Sequence, residues 1–122
     1  MMIKTLSHEF LHIDDRGSLT QLVSGGYSQI NILVSNSGVT RGGHYHKVCR
    51  EAFYIIEGSV RVTAENGEEF NEQIFRKGDF FQIYPDTAHE MYFPERCIMA
   101  VLYDRPIETE SGKDIYERKI IR

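Results

Sequence analysis

The sequence predicts an all-β domain, an antiparallel sandwich or barrel of roughly ten short strands. Three observations carry that prediction. Short runs rich in Ile, Val, Tyr and Phe recur along the whole chain, the composition that suits a pleated, half-buried surface. Turn-forming pairs separate these runs at close and even spacing. No stretch holds a helical period over more than three turns.

Taken in order, the first expected strands are Ile3 to Ser7 and Leu19 to Ser24, with Arg16-Gly17 and Gly25-Gly26 as turns. The stretch holding His8 and His12 reads as strand or coil, so these two are solvated histidines rather than a helical chelating pair. Ser28 to Ser35 (SQINILVS) is a clear strand, closed by Asn36 to Gly38. Ala52 to Glu57 (AFYIIE) and Ser59 to Glu65 (SVRVTAE) follow, joined at Glu57-Gly58. Asn66-Gly67 lies between two alternating runs and signals a hairpin, because both residues tolerate positive φ. Glu68 to Phe75, Asp79 to Tyr84 and Glu90 to Phe93 are separated by Lys77-Gly78 and Pro85-Asp86. Cys97 to Asp104 (CIMAVLYD) is the last strong run. Ile115 to Ile121 alternates with charges and resembles an edge strand, which commonly pairs with another subunit; a homodimer is expected.

A length of 122 residues suits one domain with one core, spanning residues 1–122. The formal charge is −4, with acids and bases mixed rather than blocked. Nothing resembles the basic stripe needed by nucleic acid or anionic lipid, so neither partner is expected. The N-terminus lacks an apolar signal core, and the longest apolar runs, such as Ile98 to Tyr103, are too short to span a bilayer. A cytoplasmic protein is the default. Cys49 and Cys97 are the only cysteines. They form no C-x-x-C pair, and Cys49 reads as a small buried packing residue.

Three of the five histidines and one glutamate form an unusual set. His44 and His46 stand two apart, so on an extended strand both imidazoles point to one face. A tight connection would return the Glu51 carboxylate to that same face, and His89 can approach from a neighbouring strand. Three imidazoles and one carboxylate suit one divalent transition metal (Zn, Mn, Fe, Ni or Co) and leave positions for water or substrate. The bland alternative is two solvent-facing histidines on a strand and a surface acid.

The placement of these residues resembles the cupin family. Gly38, five residues, His44-x-His46, four residues, Glu51, six residues and Gly58 match the first cupin motif throughout. Gly78-Asp79, Pro85 and His89 resemble the second. Asp86 stands where the family usually has glycine, Phe93 where asparagine is common, and Tyr84 replaces a frequent proline. The resemblance implies a cupin-type antiparallel β-barrel, a jelly roll, with the metal inside one open end and usually a dimeric assembly. The segment Gly38 to Lys47 (GVTRGGHYHK) is similar to the active-site strand of 3,4-ketoisomerases and, more distantly, 3,5-epimerases of nucleotide-linked sugars. Asp14-Asp15-Arg16-Gly17-Ser18-Leu19 sits where those families carry a comparable segment. Ketoisomerases commonly have an amide where Glu51 stands; this chain also looks similar to metal-bearing cupin domains of polysaccharide-biosynthesis enzymes.

That resemblance implies a small-molecule substrate and removal of a proton beside a carbonyl, which a bound metal could polarise. With three imidazoles used as ligands, Tyr54, Tyr84 and Tyr92 are the candidates for proton transfer. Arg41 and Lys47 are candidate diphosphate binders. Strict alternation puts both on the face opposite His44, although Gly42-Gly43 could permit a bulge that re-aims Arg41. Two other functions fit the same ligands: an iron-dependent dioxygenase, or a non-catalytic cupin that binds a sugar or other small ligand.

Overall fold

The computed structural model describes residues 1–120, which form strands and no helix. The N-terminal strands are β1 (Ile3–Thr5), β2 (Phe10–Asp14), β3 (Gly17–Gln21) and β4 (Gln29–Ser35). The central ones are β5 (Thr40–Tyr45), β6 (Glu51–Glu57), β7 (Ser59–Glu65) and β8 (Phe70–Arg76). Then come β9 (Phe80–Ile83), β10 (Ala88–Tyr92), β11 (Cys97–Tyr103), β12 (Glu108–Thr109), β13 (Gly112–Lys113) and β14 (Tyr116–Glu117).

Ten of these strands build two five-stranded antiparallel sheets, in the orders β1-β9-β6-β11-β4 and β14-β5-β10-β7-β8. The remaining four make two ribbons, β2-β3 and β12-β13. The large sheets stack face to face as a jelly roll, closing on inward side chains from both. Phe53, Ile55, Phe81, Met99 and Val101 come from one sheet, and Val60, Val62, Phe75 and Met91 from the other. The Phe75 and Phe81 rings stack across the gap at 3.8 Å between centroids. Truncating such a fully buried ring to Ala typically costs about 3–5 kcal/mol.

The strong sequence signals became the central strands with boundaries shifted by a residue or less. Ser59–Glu65 formed as expected, and β6 begins one residue early, at Glu51. The Asn66-Gly67 hairpin also formed, but its loop holds four residues, since Glu65 pairs with Phe70. Asn66 closes it by accepting the backbone N–H groups of Glu68 and Glu69 at 3.1 and 2.9 Å. The short strands β12 and β13 have no counterpart among the expected ones, while β2 takes up His12 from the stretch read as strand or coil.

The C-terminal strand takes a different partner from the expected one. β14 lies at a sheet edge but pairs with β5 of the same chain, Tyr116 opposite Tyr45 and Glu117 opposite His44. Ile121, the end of the expected strand, lies outside the described residues. Here the tail becomes a wall beside the histidine strand. Unpartnered apolar surface lies elsewhere: Ile30, Ile32 and Val34 on edge strand β4 are 62%, 62% and 45% exposed.

Candidate metal centre

The fold gathers the four proposed ligands from two sheets. His44 lies near the end of β5, and His89 sits directly opposite it on β10. Their rings meet edge to face, with centroids 4.8 Å apart. His46 follows one residue beyond β5, its ring 5.3 Å from that of His44. Glu51 opens β6, which belongs to the other sheet. Its carboxylate therefore does not return to the face carrying the histidines, as a hairpin would dictate. Residues 47–50 cross between the sheets, and Glu51 faces the imidazoles across the interior.

One donor atom from each residue lies within 4.8 Å of the other three. His46, Glu51 and His89 are at most 5% exposed, while His44 is half-buried. Glu51 Oε1 touches Nε2 of His46 and lies 3.6 Å from Nε2 of His89. Yet His46 Nε2 and Glu51 Oε1 are buried without a hydrogen-bond partner. Buried lone pairs left unsatisfied are costly, and a divalent cation answers that need at both atoms.

The far sides of two rings set which nitrogen is free. His46 Nδ1 donates to the carbonyl of Asp114 at 2.5 Å, and His89 Nδ1 to that of Thr87 at 3.2 Å. A carbonyl oxygen only accepts, so each Nδ1 carries its proton and Nε2 is the ring nitrogen aimed inward at Glu51. Burial, helped by the nearby His89, pulls the His44 pKa down to about 4. Burial also lowers that of His89. For Glu51, burial acts upward, but contact with His46 and the nearby imidazoles outweighs it and holds the carboxyl below its usual range. Burial likewise acts downward on His46, where Glu51 outweighs it and raises the pKa. An ionised carboxylate among imidazole nitrogens is a donor set that Zn, Mn, Fe, Ni or Co can use. The residues fit the group.

The ligands open onto a cavity of about 280 Å³, and Arg41 lines it with them. Strict alternation would have turned Arg41 away. In the β5–β10 pair, His89 faces His44 but Glu90 faces Gly42, so Gly43 is an inserted residue. Such a bulge resets the inward-outward parity of the strand. Gly42 and Gly43 adopt φ of 104° and 77°, open only to glycine at low cost. A side chain at Gly42 would also meet the His89 carbonyl oxygen at 2.6 Å. The re-aimed Arg41 is steadied by Nε donating to Ser35 Oγ at 2.9 Å and Nη2 to the Val34 carbonyl at 3.3 Å.

The other sequence candidates lie outside this cavity. Lys47 is exposed, with Nζ 4.2 Å from the centroid of the Tyr116 ring. Tyr54 packs edge-on against Phe80 in a separate cluster beneath the N-terminal segment. Tyr84 lies under the Arg50 guanidinium and Tyr92 under that of Arg61. Cys49 is buried, and burial pushes its thiol up to about 12. Asp14 holds the β2–β3 turn by accepting from the Arg16 backbone at 2.9 Å and its guanidinium at 2.6 Å.

The phenol that does line the cavity is Tyr103, paired with Glu51 across β6 and β11. Its parity with Cys97, Met99 and Val101, all in the main core, points it inward. That signal was ambiguous in the sequence, because Ala100 and Leu102 on the opposite face are buried as well.

The family model of the polysaccharide biosynthesis C-terminal domain matches residues 12–87, more than half of the chain. The chain belongs to this family. One curated relative is the UDP-2-acetamido-2,6-beta-L-arabino-hexul-4-ose reductase of Pseudomonas aeruginosa, 37% identical over 57 residues. That match spans 46% of this chain and only 15% of the reductase. Among solved structures, the QdtA sugar 3,4-ketoisomerase of Thermoanaerobacterium thermosaccharolyticum with TDP has a TM-score of 0.80 and 20% identity, over 93% of this chain and 86% of that one. The WlaRB TDP-quinovose 3,4-ketoisomerase of Campylobacter jejuni gives 0.78 and 19%, over 92% of both chains. The capsular polysaccharide assembling protein CapF of Staphylococcus aureus gives 0.69 and 19%, over 91% of this chain and 34% of that one. These solved structures share the fold, and the cupin-type jelly roll expected from the motifs is the one observed.

Proposed function

We propose that this chain, acting as one domain, is an isomerase or epimerase of a nucleotide-linked keto sugar, using one divalent metal held by His44, His46, Glu51 and His89. The observation that carries this reading is the shared cavity, where the Gly43 bulge sets Arg41 beside the four donors. A guanidinium grips diphosphate oxygens in a two-pronged way. A sugar tethered there by its diphosphate would present its ring to the imidazoles. A solved QdtA variant holding TDP-4-keto-6-deoxyglucose in the same fold supports that class of substrate.

Ketoisomerisation needs no external oxidant. A proton leaves the carbon beside the carbonyl, whose own hydroxyl becomes the new carbonyl; the old carbonyl carbon takes up a proton and its oxygen becomes the hydroxyl. When bound, the cation supplies Lewis-acid polarisation of the carbonyl. Tyr103 is suited to hold a proton at its phenol oxygen, since burial, followed by the charge of Glu51, pushes its pKa up to about 12. It would donate toward a substrate oxygen rather than act as a base. Leu33, Phe53 and Met91 give the cavity an apolar wall that keeps water from the reacting carbon.

Metal-replete protein should be incubated with TDP-4-keto-6-deoxyglucose in deuterated water and followed by proton NMR. The expected result is solvent deuterium in the sugar ring and a displaced carbonyl. No exchange at high enzyme loading removes the reading. A UDP-linked 2-acetamido 4-keto sugar belongs in the same panel as a second reading, favoured by the 37% identity to the reductase.

A homodimer and a cytoplasmic location complete the reading. The exposed Ile30, Ile32 and Val34 on β4, with Phe10, Leu11, Ile13 and Leu19 on the β2–β3 ribbon, support self-association. Light scattering giving a monomer mass at all concentrations would oppose it. The unpaired Cys49 and Cys97 suit a reducing compartment.

A further inference from the structure

Asp114 makes four contacts to the segment that carries the ligands. Its Oδ1 accepts the backbone N–H of Lys47 at 2.8 Å; its Oδ2 accepts those of Val48 at 3.1 Å and Cys49 at 2.8 Å. Its carbonyl accepts Nδ1 of His46 at 2.5 Å. Asp114 is itself anchored, donating its N–H to the Ile107 carbonyl at 2.8 Å beside the β12–β13 ribbon. The acceptor therefore arrives from the far end of the chain on a braced turn.

The physical need is local. Residues 47–50 cross from one sheet to the other between two ligands, so no strand partner can take their N–H groups. Three successive donors form a concave nest that an anion fills. Filling it with a carboxylate built into the chain fixes the loop, and through the loop the spacing of His46 and Glu51. The carbonyl of the same residue holds the proton on His46 Nδ1 and so orients the ring. The partners behind metal ligands commonly govern affinity by 10–100-fold.

The geometry points to Asp114 as the positioning residue of the metal centre, clamping the 47–49 backbone and holding His46 with Nε2 turned inward. It touches no reacting atom and acts through His46 and Glu51. This inference rests on the metal reading proposed above, but one of its consequences does not: the His46 Nδ1–H is held by the Asp114 carbonyl without any ion.

The test compares wild type, Asp114→Asn and Asp114→Ala in two measurements. The first is Co(II) affinity by chelator competition, with the visible absorption spectrum of the bound ion, on protein shown folded by circular dichroism. The expected result is affinity lowered 10–100-fold in both variants, with an altered spectrum. The second is solvent exchange of the His46 Nδ1–H in metal-free protein, which should be slow in wild type and faster in both variants, where the residue 114 carbonyl remains but loses the carboxylate clamp that seats it.

A purely structural role would lower the unfolding temperature and leave both readouts of the folded protein unchanged; that result overturns the inference. If wild type takes up no Co(II), the metal reading falls and exchange of the His46 Nδ1–H alone decides on Asp114. Should neither variant fold, a His46 Nδ1–H that exchanges freely in wild type still overturns the assignment, and a protected Nδ1–H upholds it.

Discussion

His89 faces His44 across the β5–β10 pair, and the next residue along, Glu90, faces Gly42 because Gly43 is looped out. This slip fixes both the facing of His44 and His89 and the side of the sheet on which Arg41 emerges. Gly42→Ala should therefore do more than strain one residue. The added methyl would sit 2.6 Å from the His89 carbonyl oxygen, on top of an unfavourable φ of 104°. At Gly43 the nearest atom is the flexible Glu90 Oε1 at 3.8 Å, so only the backbone cost of about 1–2 kcal/mol applies. In urea titrations Gly42→Ala should lose the more stability, by about 1–3 kcal/mol. Equal losses would oppose this account of the bulge.

Arg41 and Lys47 share strand parity in the sequence but not location in the fold. Arg41→Ala should weaken TDP binding at least about tenfold, the effect of losing roughly 1.4 kcal/mol of contact. Lys47→Ala, on the exposed side against Tyr116, should bind TDP like wild type. Calorimetric titration separates the two, and a dominant effect at Lys47 would refute the site.

Tyr103→Phe should reduce the rate of deuterium exchange by about 100-fold or more, the size associated with a positioned proton donor. Tyr54→Phe, Tyr84→Phe and Tyr92→Phe should exchange within a few-fold of wild type, since none reaches the cavity. An unchanged rate in Tyr103→Phe would return the donor role to another group.

The metal-free protein should be acid-sensitive. His44 has a folded pKa of about 4 against 6.5 for an ordinary histidine. Between those values the unfolded chain binds more protons, so stability rises with pH across the window and is lost as pH falls. Buried His89 acts in the same direction. The lowered pKa of Glu51 also favours the folded state at higher pH, with its contribution lost on further acidification. His46, raised, works oppositely: its contribution is present below 6.5 and fades above. Denaturant titrations with a chelator present, from pH 4 to 6.5, should show a flatter slope in His44→Phe than in wild type. Superimposable slopes would mean that His44 titrates normally.

Asp86 is the non-glycine residue with positive φ, 60°, among the described residues, at the position where the second cupin motif usually has glycine. Its N–H donates to the His46 carbonyl at 2.7 Å, so the turn braces His46 from behind. Asp86→Gly should keep stability within about 1 kcal/mol, while Asp86→Val should lose about 1–2 kcal/mol. Thermal unfolding of the pair checks this; a harmless valine would contradict it.

The central strands and the convergence of His44, His46, Glu51 and His89 were legible in the sequence for simple reasons. Ser59–Glu65 and Cys97–Tyr103 are built from residues that favour buried sheet, and the His44-x-His46 spacing holds close to the end of a strand. The rest depended on distance or on exceptions to period two. Arg41 could not be placed because a single looped-out glycine changes every parity beyond it. Tyr103 was hidden because both faces of β11 are buried. The Asp114 contacts join positions at least 65 residues apart, and no local pattern announces them. Glu51 was found by its spacing but assigned to the wrong wall, because the turn before it changes sheet rather than folding back.

That change of sheet would give a bound ion a mechanical part. Three nitrogens come from the β5–β10 side and one oxygen from β6 on the other. A bound cation would stitch the two layers together at their open rim, where the strands themselves supply no rung between them. Loading the centre would thus tighten the mouth through which substrate enters. Occupancy should be readable as slower amide exchange in β5 and β6, even with no substrate present.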